Sequence, residues 1–447
     1  MPLATLPHPR LLPLILALLF IIFALSSLFS LFTSSSSPSI LNFIPTALVR
    51  GERTPTGYSA TGSKGNTISI QNVLDAGARH VAESSRLFDA IGTKRDLGID
   101  LGGNWTLQSY ADYLENTWQE FLGPQGSNNA DHPTLQTALS YTSLLPREQE
   151  SETAIPNLIY TTDLLEPQQL PEQFQSWITQ NPDWTTMFVG DEEIDTWLEN
   201  SLGATGIKKS RAQEELLALK EDYGVVRADL FRYLVLLLNG GIYTDTDTAS
   251  VLPIAQWARN PTIAPVDPLL TAIPQLISII QDPSQSLAST PSTSKPSLVV
   301  AIESDALSTG ANWREQSFAR SIQIVQWTIM ANRGHPVLLD VIGMALRKSQ
   351  EIRQMGSNNE EVRKEDVNIL DWSGPGVFTD AVFRYLLVRY GFHPTQASGL
   401  KDPLQIGDVI IMPVHSFRAD ASEGFQGDHR VVWHGFFGRW KGKTDNK

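Results

Sequence analysis

The stretch from Val225 to Thr248, VVRADLFRYLVLLLNGGIYTDTDT, constrains the fold more than any other part of the chain. Ala228 to Leu238 reads as helix, with Leu230, Leu234, Leu237 and Leu238 on its buried side. Asn239-Gly240-Gly241 stops that helix, because glycine takes the left-handed backbone of a helix end without steric cost. Ile242-Tyr243-Thr244 then reads as a short strand. Its carboxyl end delivers Asp245-Thr246-Asp247, and α/β sheets collect their ligands at that end of their strands.

Two carboxylates at i and i+2 just past a strand can hold one hard divalent cation. Mg²⁺ and Mn²⁺ favour oxygen ligands and keep positions open for substrate phosphates. Such a pair alone equally fits a solvated turn. The preceding helix adds Asp229 and Arg232, which share a face at i and i+3, with Arg227 near them. They read either as a helix ion pair of small energy or as a sugar-binding pair. In the second reading Asp229 accepts hydrogen bonds from sugar hydroxyls and Arg232 donates them.

The rest of the chain fits an α/β body behind a membrane segment. Residues 1–10 read as a cytosolic tail. Leu11 to Phe32 is a run of 22 residues without charge. As a helix it spans roughly 33 Å, enough to cross a bilayer. Arg10 on the short side favours keeping that side cytosolic. The alternative is a cleaved signal peptide, whose apolar core is shorter, about 7–15 residues. Either way the body faces a secretory lumen. Residues 33–153 read as a stem with one or two amphipathic helices, and Asn104-Trp105-Thr106 is an N-glycosylation sequon. Residues 154–441 alternate helical patterns with strands such as Pro156–Thr162, Thr186–Val189, Ile242–Thr244, Leu298–Ile302 and Val409–Met412, which is an α/β signature. Residues 264–296 are rich in Pro, Ser and Thr and read as an insertion loop, and 442–447 as a tail.

Charge and composition exclude other classes. The formal charge is −14, and residues 1–51 hold two arginines and no acid, so the body is more acidic still. A general nucleic-acid binder needs a basic face, so no nucleic-acid partner is expected. The absence of cysteine removes disulfide scaffolds, thiolate metal sites and thiol nucleophiles. A D-x-D phosphatase is also disfavoured, because Ala249 stands four residues after Asp245.

The stretch RADLFRYLVLLLNGGIYTDTDT resembles the signature of glycosyltransferase family 32, and within it the fungal initiation-specific α-1,6-mannosyltransferases of the Golgi. Val251-Leu252-Pro253-Ile254 with Trp257, Val299 to Glu303, Gln326 to Ile329 with Gly334-His335-Pro336, Asp371 to Gly376, and Trp433 to Trp440 extend the likeness over residues 155–441. More distantly, the helix and the D-x-D resemble the glucosylating domains of clostridial toxins. The resemblance implies a GT-A-type, Rossmann-like single catalytic domain, a GDP-mannose donor, Mn²⁺ (with Mg²⁺ as the alternative), and retention of anomeric configuration by front-face substitution. Asp245 and Asp247 match the metal motif, and His434 falls where relatives place a further metal or diphosphate contact. A satisfied core histidine is the competing reading for His434. Asp229 and Arg232 match the donor-sugar pair, with Arg227 beside them. Gly374-Pro375-Gly376 fits a loop that approaches the substrate, or an ordinary turn, and Trp440 either closes over the donor or packs.

One departure from the family pattern lies at the first strand. Relatives read IPKIIHQTW there, whereas Ile155 to Asp163 is IPNLIYTTD, without the His, Gln and Trp. The implied role is a single-pass type II Golgi enzyme that mannosylates N-glycans of glycoproteins. The alternatives are a paralogue acting on inositol-phosphoceramide and a non-catalytic subunit of a Golgi mannosyltransferase complex.

Overall fold

The structure is a computed structural model. It describes residues 70–86, 89–123, 131–144, 154–164, 170–202, 210–220, 222–266, 268–281, 295–357, 368–418 and 430–437. The expected cytosolic tail 1–10, the membrane segment 11–32, the whole of the expected stem before residue 70, Trp440 and the tail 442–447 lie outside the described residues. Among those described, no helix is long and apolar enough to cross a membrane.

The chain divides into two compact units, one of residues 81–264 with 293–447 and the other of residues 1–80 with 265–292. In the larger unit, eleven strands can be followed. They are β1 (Leu158–Thr161), β2 (Thr185–Phe188), β3 (Gly241–Thr244), β4 (Thr248–Ser250), β5 (Thr262–Ile263), β6 (Leu298–Asp305), β7 (Ile322–Ile324), β8 (Thr328–Ala331), β9 (Leu404–Ile406), β10 (Val409–Met412) and β11 (Val432–His434). The main sheet runs β2-β1-β3-β8-β6-β10-β9-β5, with β7 on β6, and β11 pairs with β4 as a separate ribbon.

Strand directions place the site. β1 is parallel to β2 and β3, while β8 is antiparallel to both β3 and β6. The carboxyl ends of β1, β3 and β6 therefore share one edge of the sheet with the amino end of β8. The expected α/β class holds, as a mixed sheet whose first three strands are parallel in the doubly wound manner.

The Gly224–Asn239 helix is buried nearly all round, from Val226 to Leu238 apart from Ala228. It is buried on every side rather than on the one face read from its leucines, so its charged residues Arg227, Asp229 and Arg232 are enclosed and paired. It stops where expected. Gly240 and Gly241 have φ of 72° and 109°, and a Cβ on Gly241 would sit 2.5 Å from the Leu158 carbonyl oxygen. Only glycine lets the chain pass β1 this closely.

The segment read as stem differs from that expectation. Helices Ala90–Leu97, Leu107–Thr117 and Pro133–Ser140 belong to the larger unit. Leu107, Tyr110 and Leu114 are buried. The Tyr110 hydroxyl donates to Asp340 at 3.1 Å, Arg384 pairs with Asp340 at 2.6 Å, and its Nε donates to the Leu101 carbonyl at 3.1 Å. Burial of one helical face, not visible as a composition change, makes this segment core. Asn104 is exposed just ahead of the Leu107–Thr117 helix, which Thr106 caps.

The insertion loop is also corrected in part. Pro268–Gln281, in the smaller unit, is a helix with Ile273 and Ile277 buried one turn apart. Pro268 occupies a first-turn position, where its missing N–H costs nothing. The composition of the whole segment concealed the apolar spacing within it.

Candidate active site

The Asp245–Asp247 turn is held from three sides. The Asp245 backbone N–H donates to the Trp327 carbonyl at 2.9 Å, and the Thr248 hydroxyl donates to the Asp245 carbonyl at 2.6 Å. Beneath it, Thr244 joins Thr248 at 2.8 Å and Thr328 at 2.7 Å, forming a buried chain of hydroxyls across β3, β4 and β8. The Thr246 hydroxyl donates to the Asp163 carboxylate at the end of β1. The divergent first strand thus places an acid that braces the aspartate turn, while Thr162, Asp163 and Leu164 line the same cavity.

β11 brings the distant histidine in. His434 lies opposite Thr248 in the β4–β11 ribbon, one residue past Asp247. His434 Nε2 is 3.2 Å from Asp247 Oδ1. Ligand atoms of Asp245, Asp247 and His434 all lie within 4.8 Å of one another. Trp327 stacks on the imidazole at 4.3 Å between centroids and 13° between planes. Just beyond, Phe436 has φ of 49°. A non-glycine residue in the left-handed region costs on the order of 1–3 kcal/mol, and such strain gathers at functional sites. Here the bend lets Gly435 N–H donate to the Asp247 carbonyl at 2.7 Å and Phe437 N–H to its carboxylate at 3.0 Å.

Asp229 and Arg232 are buried on the neighbouring helix and meet this trio directly. Arg232 Nη2 is 3.0 Å from Asp229 and 3.2 Å from Asp245, its Nη1 donates to the Gln326 carbonyl at 2.9 Å, and its guanidinium lies over the Tyr243 ring. Asp229 also accepts from Gln326 Nε2 at 3.1 Å and from Ser373 Oγ at 2.8 Å. Burial pushes the carboxyls of Asp229 and Asp245 up, and Arg232 works against it in both. Burial disfavours the charge on Arg232, but the surrounding Asp245, Tyr243 and Asp229 outweigh it and hold the guanidinium above its ordinary value. Arg232 is therefore a permanent cation inside the site.

These groups wall a cavity of about 580 Å³, lined by Asp229, Arg232, Asp245, Asp247 and His434 together with Glu303, Gln326, Trp327 and Phe436. Gly374 and Pro375 also line it, at the amino end of the Pro375–Tyr390 helix. Gly376 instead serves packing, since a Cβ there would come within 2.7 Å of the Leu370 carbonyl oxygen.

Arg227 departs from its expected place. It is fully buried and does not itself line the cavity, but pairs at 3.2 Å with Asp191, which does, and at 2.9 Å with Asp195. At about 100° per residue it stands roughly 200° round the helix from Asp229, so nearness in sequence put it on the wrong face. Gln326, Ser373, Trp327 and Glu303 were within the segments of family likeness but carried no assigned role. Glu303 carried only a local signal, the first acid after the apolar run Val299 to Ile302, with Asp305 two residues on.

Residues 167–264, which include the Gly224–Asn239 helix and the aspartate turn, match the glycosyltransferase sugar-binding region containing DXD motif. The chain is 28% identical over 368 residues to the initiation-specific α-1,6-mannosyltransferase of Candida albicans, covering 73% of this chain and 83% of that protein. It is 27% identical over 294 residues to the protein of the same name from Schizosaccharomyces pombe, covering 64% of each. Among solved structures, the catalytic domain of α-toxin from Clostridium novyi aligns with 73% of this chain and 88% of that one, at 10% identity and a TM-score of 0.34, a likeness that carries no argument. Because the matched region includes the helix and turn that build the cavity, the chain is a glycosyltransferase, similar over residues 167–264 to the DXD-containing sugar-binding region and over most of its length to fungal initiation-specific α-1,6-mannosyltransferases.

Proposed function

We propose that this chain transfers mannose from GDP-mannose, with Mn²⁺ and retention of configuration, in α-1,6 linkage to N-linked glycans of glycoproteins. In this reading it is a single-pass type II protein of the Golgi membrane with its body in the lumen. One observation carries the transfer chemistry. Arg232 bonds both Asp229, of the sugar-binding pair, and Asp245, of the ion-binding group, so both face one cavity. The sugar and linkage rest on the likeness to enzymes named α-1,6-mannosyltransferases, and the glycoprotein acceptor on the family resemblance of residues 155–441. The topology rests on the uncharged segment Leu11 to Phe32.

The residues fit a divalent ion. His434 Nε2 and Asp247 Oδ1, 3.2 Å apart, keep the spacing of two atoms that share an ion about 2.1 Å from each. Two carboxylates with an imidazole form a mixed oxygen–nitrogen set, which suits Mn²⁺ better than Mg²⁺. When bound, the ion supplies Lewis acidity toward the leaving diphosphate. Asp229 accepts hydrogen bonds from the sugar hydroxyls. Arg232 donates to the donor and adds a fixed positive charge where negative charge develops. The shared wall holds the anomeric carbon for attack from the face on which the diphosphate departs.

The test incubates the purified chain with GDP- and UDP-sugars, with and without a high-mannose glycan, and reads product linkage by NMR. The expected product is α-1,6-linked mannose from GDP-mannose, abolished by EDTA and restored by Mn²⁺. Full turnover in EDTA would remove the metal role, and preference for a UDP-sugar would remove the donor assignment.

A further inference from the structure

One acid in the cavity wall has no part in holding the ion or the donor sugar. Glu303 lies near the carboxyl end of β6, at the sheet edge shared with Asp245. Its two hydrogen-bond partners are neutral. Gln323 Nε2 donates to one carboxylate oxygen at 2.7 Å and Trp327 Nε1 to the other at 3.3 Å. A carboxylate that only braces a core is usually matched by a cation, because an unmatched buried charge is costly. Here the two donors fix the orientation and leave lone pairs on both oxygens for a ligand.

Trp327 ties this acid to the ion-binding trio. Its carbonyl receives the Asp245 N–H, its ring stacks on His434, and its Nε1 grips Glu303. One indole thus separates a fixed carboxylate from the groups that would hold the donor diphosphate. Burial pushes the Glu303 carboxyl up, which makes its ionised form a stronger proton acceptor.

We propose that Glu303 receives the attacking hydroxyl of the acceptor sugar and takes its proton. The acceptor oxygen forms its bond to the anomeric carbon of the donor. The bond from that carbon to the diphosphate oxygen breaks, and its electron pair leaves on the diphosphate. The hydroxyl proton moves to a Glu303 oxygen. Glu303 is then a catalytic residue on the acceptor side. This assignment rests on the glycosyl-transfer reading above and deepens it.

The experiment compares Glu303→Gln and Glu303→Asp with the wild type in the full-length chain. Two rates are measured with GDP-mannose and Mn²⁺: transfer to an oligomannose acceptor, and hydrolysis of the donor by water. Glu303→Gln should lose transfer by about 100-fold in kcat. Its KM for donor should stay as in the wild type, and hydrolysis should fall far less, because water can pass its proton to solvent. Glu303→Asp, which keeps the carboxylate, should recover part of the transfer rate even if the amide variant folds poorly. Equal losses of transfer and hydrolysis in both variants would make Glu303 a brace and overturn the assignment. A mannosyl group trapped covalently on Glu303, seen by mass spectrometry, would overturn it in favour of a nucleophile. A wild-type chain that turns over no nucleotide sugar would instead overturn the transfer reading, and this assignment with it.

Discussion

Arg232 makes four contacts that a point charge could not reproduce: two carboxylates, a carbonyl and an aromatic face. Arg232→Lys keeps the charge and loses the planar fork. We expect kcat to fall by about 100-fold, the scale of losing one aimed donor at developing charge. Thermal melting, measured alongside, should move only slightly. Asp245→Asn and Asp247→Asn should lose transfer on at least that scale, of order 10² to 10³, while still folding, which circular dichroism checks. Arg227 predicts the opposite pattern. Arg227→Met leaves Asp191 and Asp195 facing a gap in which burial raises the Asp191 carboxyl further from its usual range. Denaturant titration should show a loss of at most about 3 kcal/mol, the lower end for a broken buried pair, since both acids are partly exposed. KM for the donor should change by less than in Arg232→Lys, because Arg227 reaches the cavity only through Asp191. At this scale, Asp229, Arg232, Asp245 and Asp247 were legible because they sit on one helix and the strand that follows it. Glu303 was marked only as an acid after an apolar run, and its role was hidden, because its partners Gln323 and Trp327 become neighbours only when β6, β7 and β8 form.

Among the elements, the turn between the Gly224–Asn239 helix and β3 carries the tightest constraint. Gly241→Ala would demand a positive φ of a β-carbon residue and drive that carbon into the Leu158 carbonyl. A loss of about 2–4 kcal/mol is expected from strain plus overpacking, read by urea unfolding. The short strands were legible for a plain reason. Apolar runs such as Val409–Met412, which the structure reproduces residue for residue, are long enough to pair and too short for a stable helix. The Pro268–Gln281 helix was hidden by the Pro, Ser and Thr on either side of it. The edge pairing of β5 with β9 was hidden because Thr262–Ile263 is two exposed residues whose pairing is set by the partner strand.

At the scale of the whole molecule, the helices between Ala90 and Ser140 mark where the catalytic body begins. Arg384 reaches the Leu101 carbonyl, and Arg347 reaches Tyr113 and Glu120 from the Pro336–Ser357 helix. A chain starting at Ala154 would leave Asp340 and Arg384 without Tyr110 and Leu101, and would bare the face that Leu107 and Leu114 cover. It should be insoluble or fail to melt cooperatively in calorimetry, whereas a chain starting at Ile70 should fold. Length and composition could not place this boundary, because the covered face appears only when the segment docks. The acidic balance of the chain was legible, and it bears on the donor. An anionic sugar nucleotide is not drawn in by a net charge of −14, so Arg232 and the ion site must supply the local attraction.

The β4–β11 ribbon sets an order on the making of the enzyme. Every strand of the main sheet lies at or before Met412, while His434 arrives on β11. A chain emerging from the ribosome therefore owns its whole sheet, its sugar-binding pair and both aspartates before it owns the imidazole that completes the trio. Completion of the Asp245–Asp247–His434 trio is withheld until the chain has been made past β11, so a chain that stopped after Met412 would hold the strands of the main sheet and lack the imidazole.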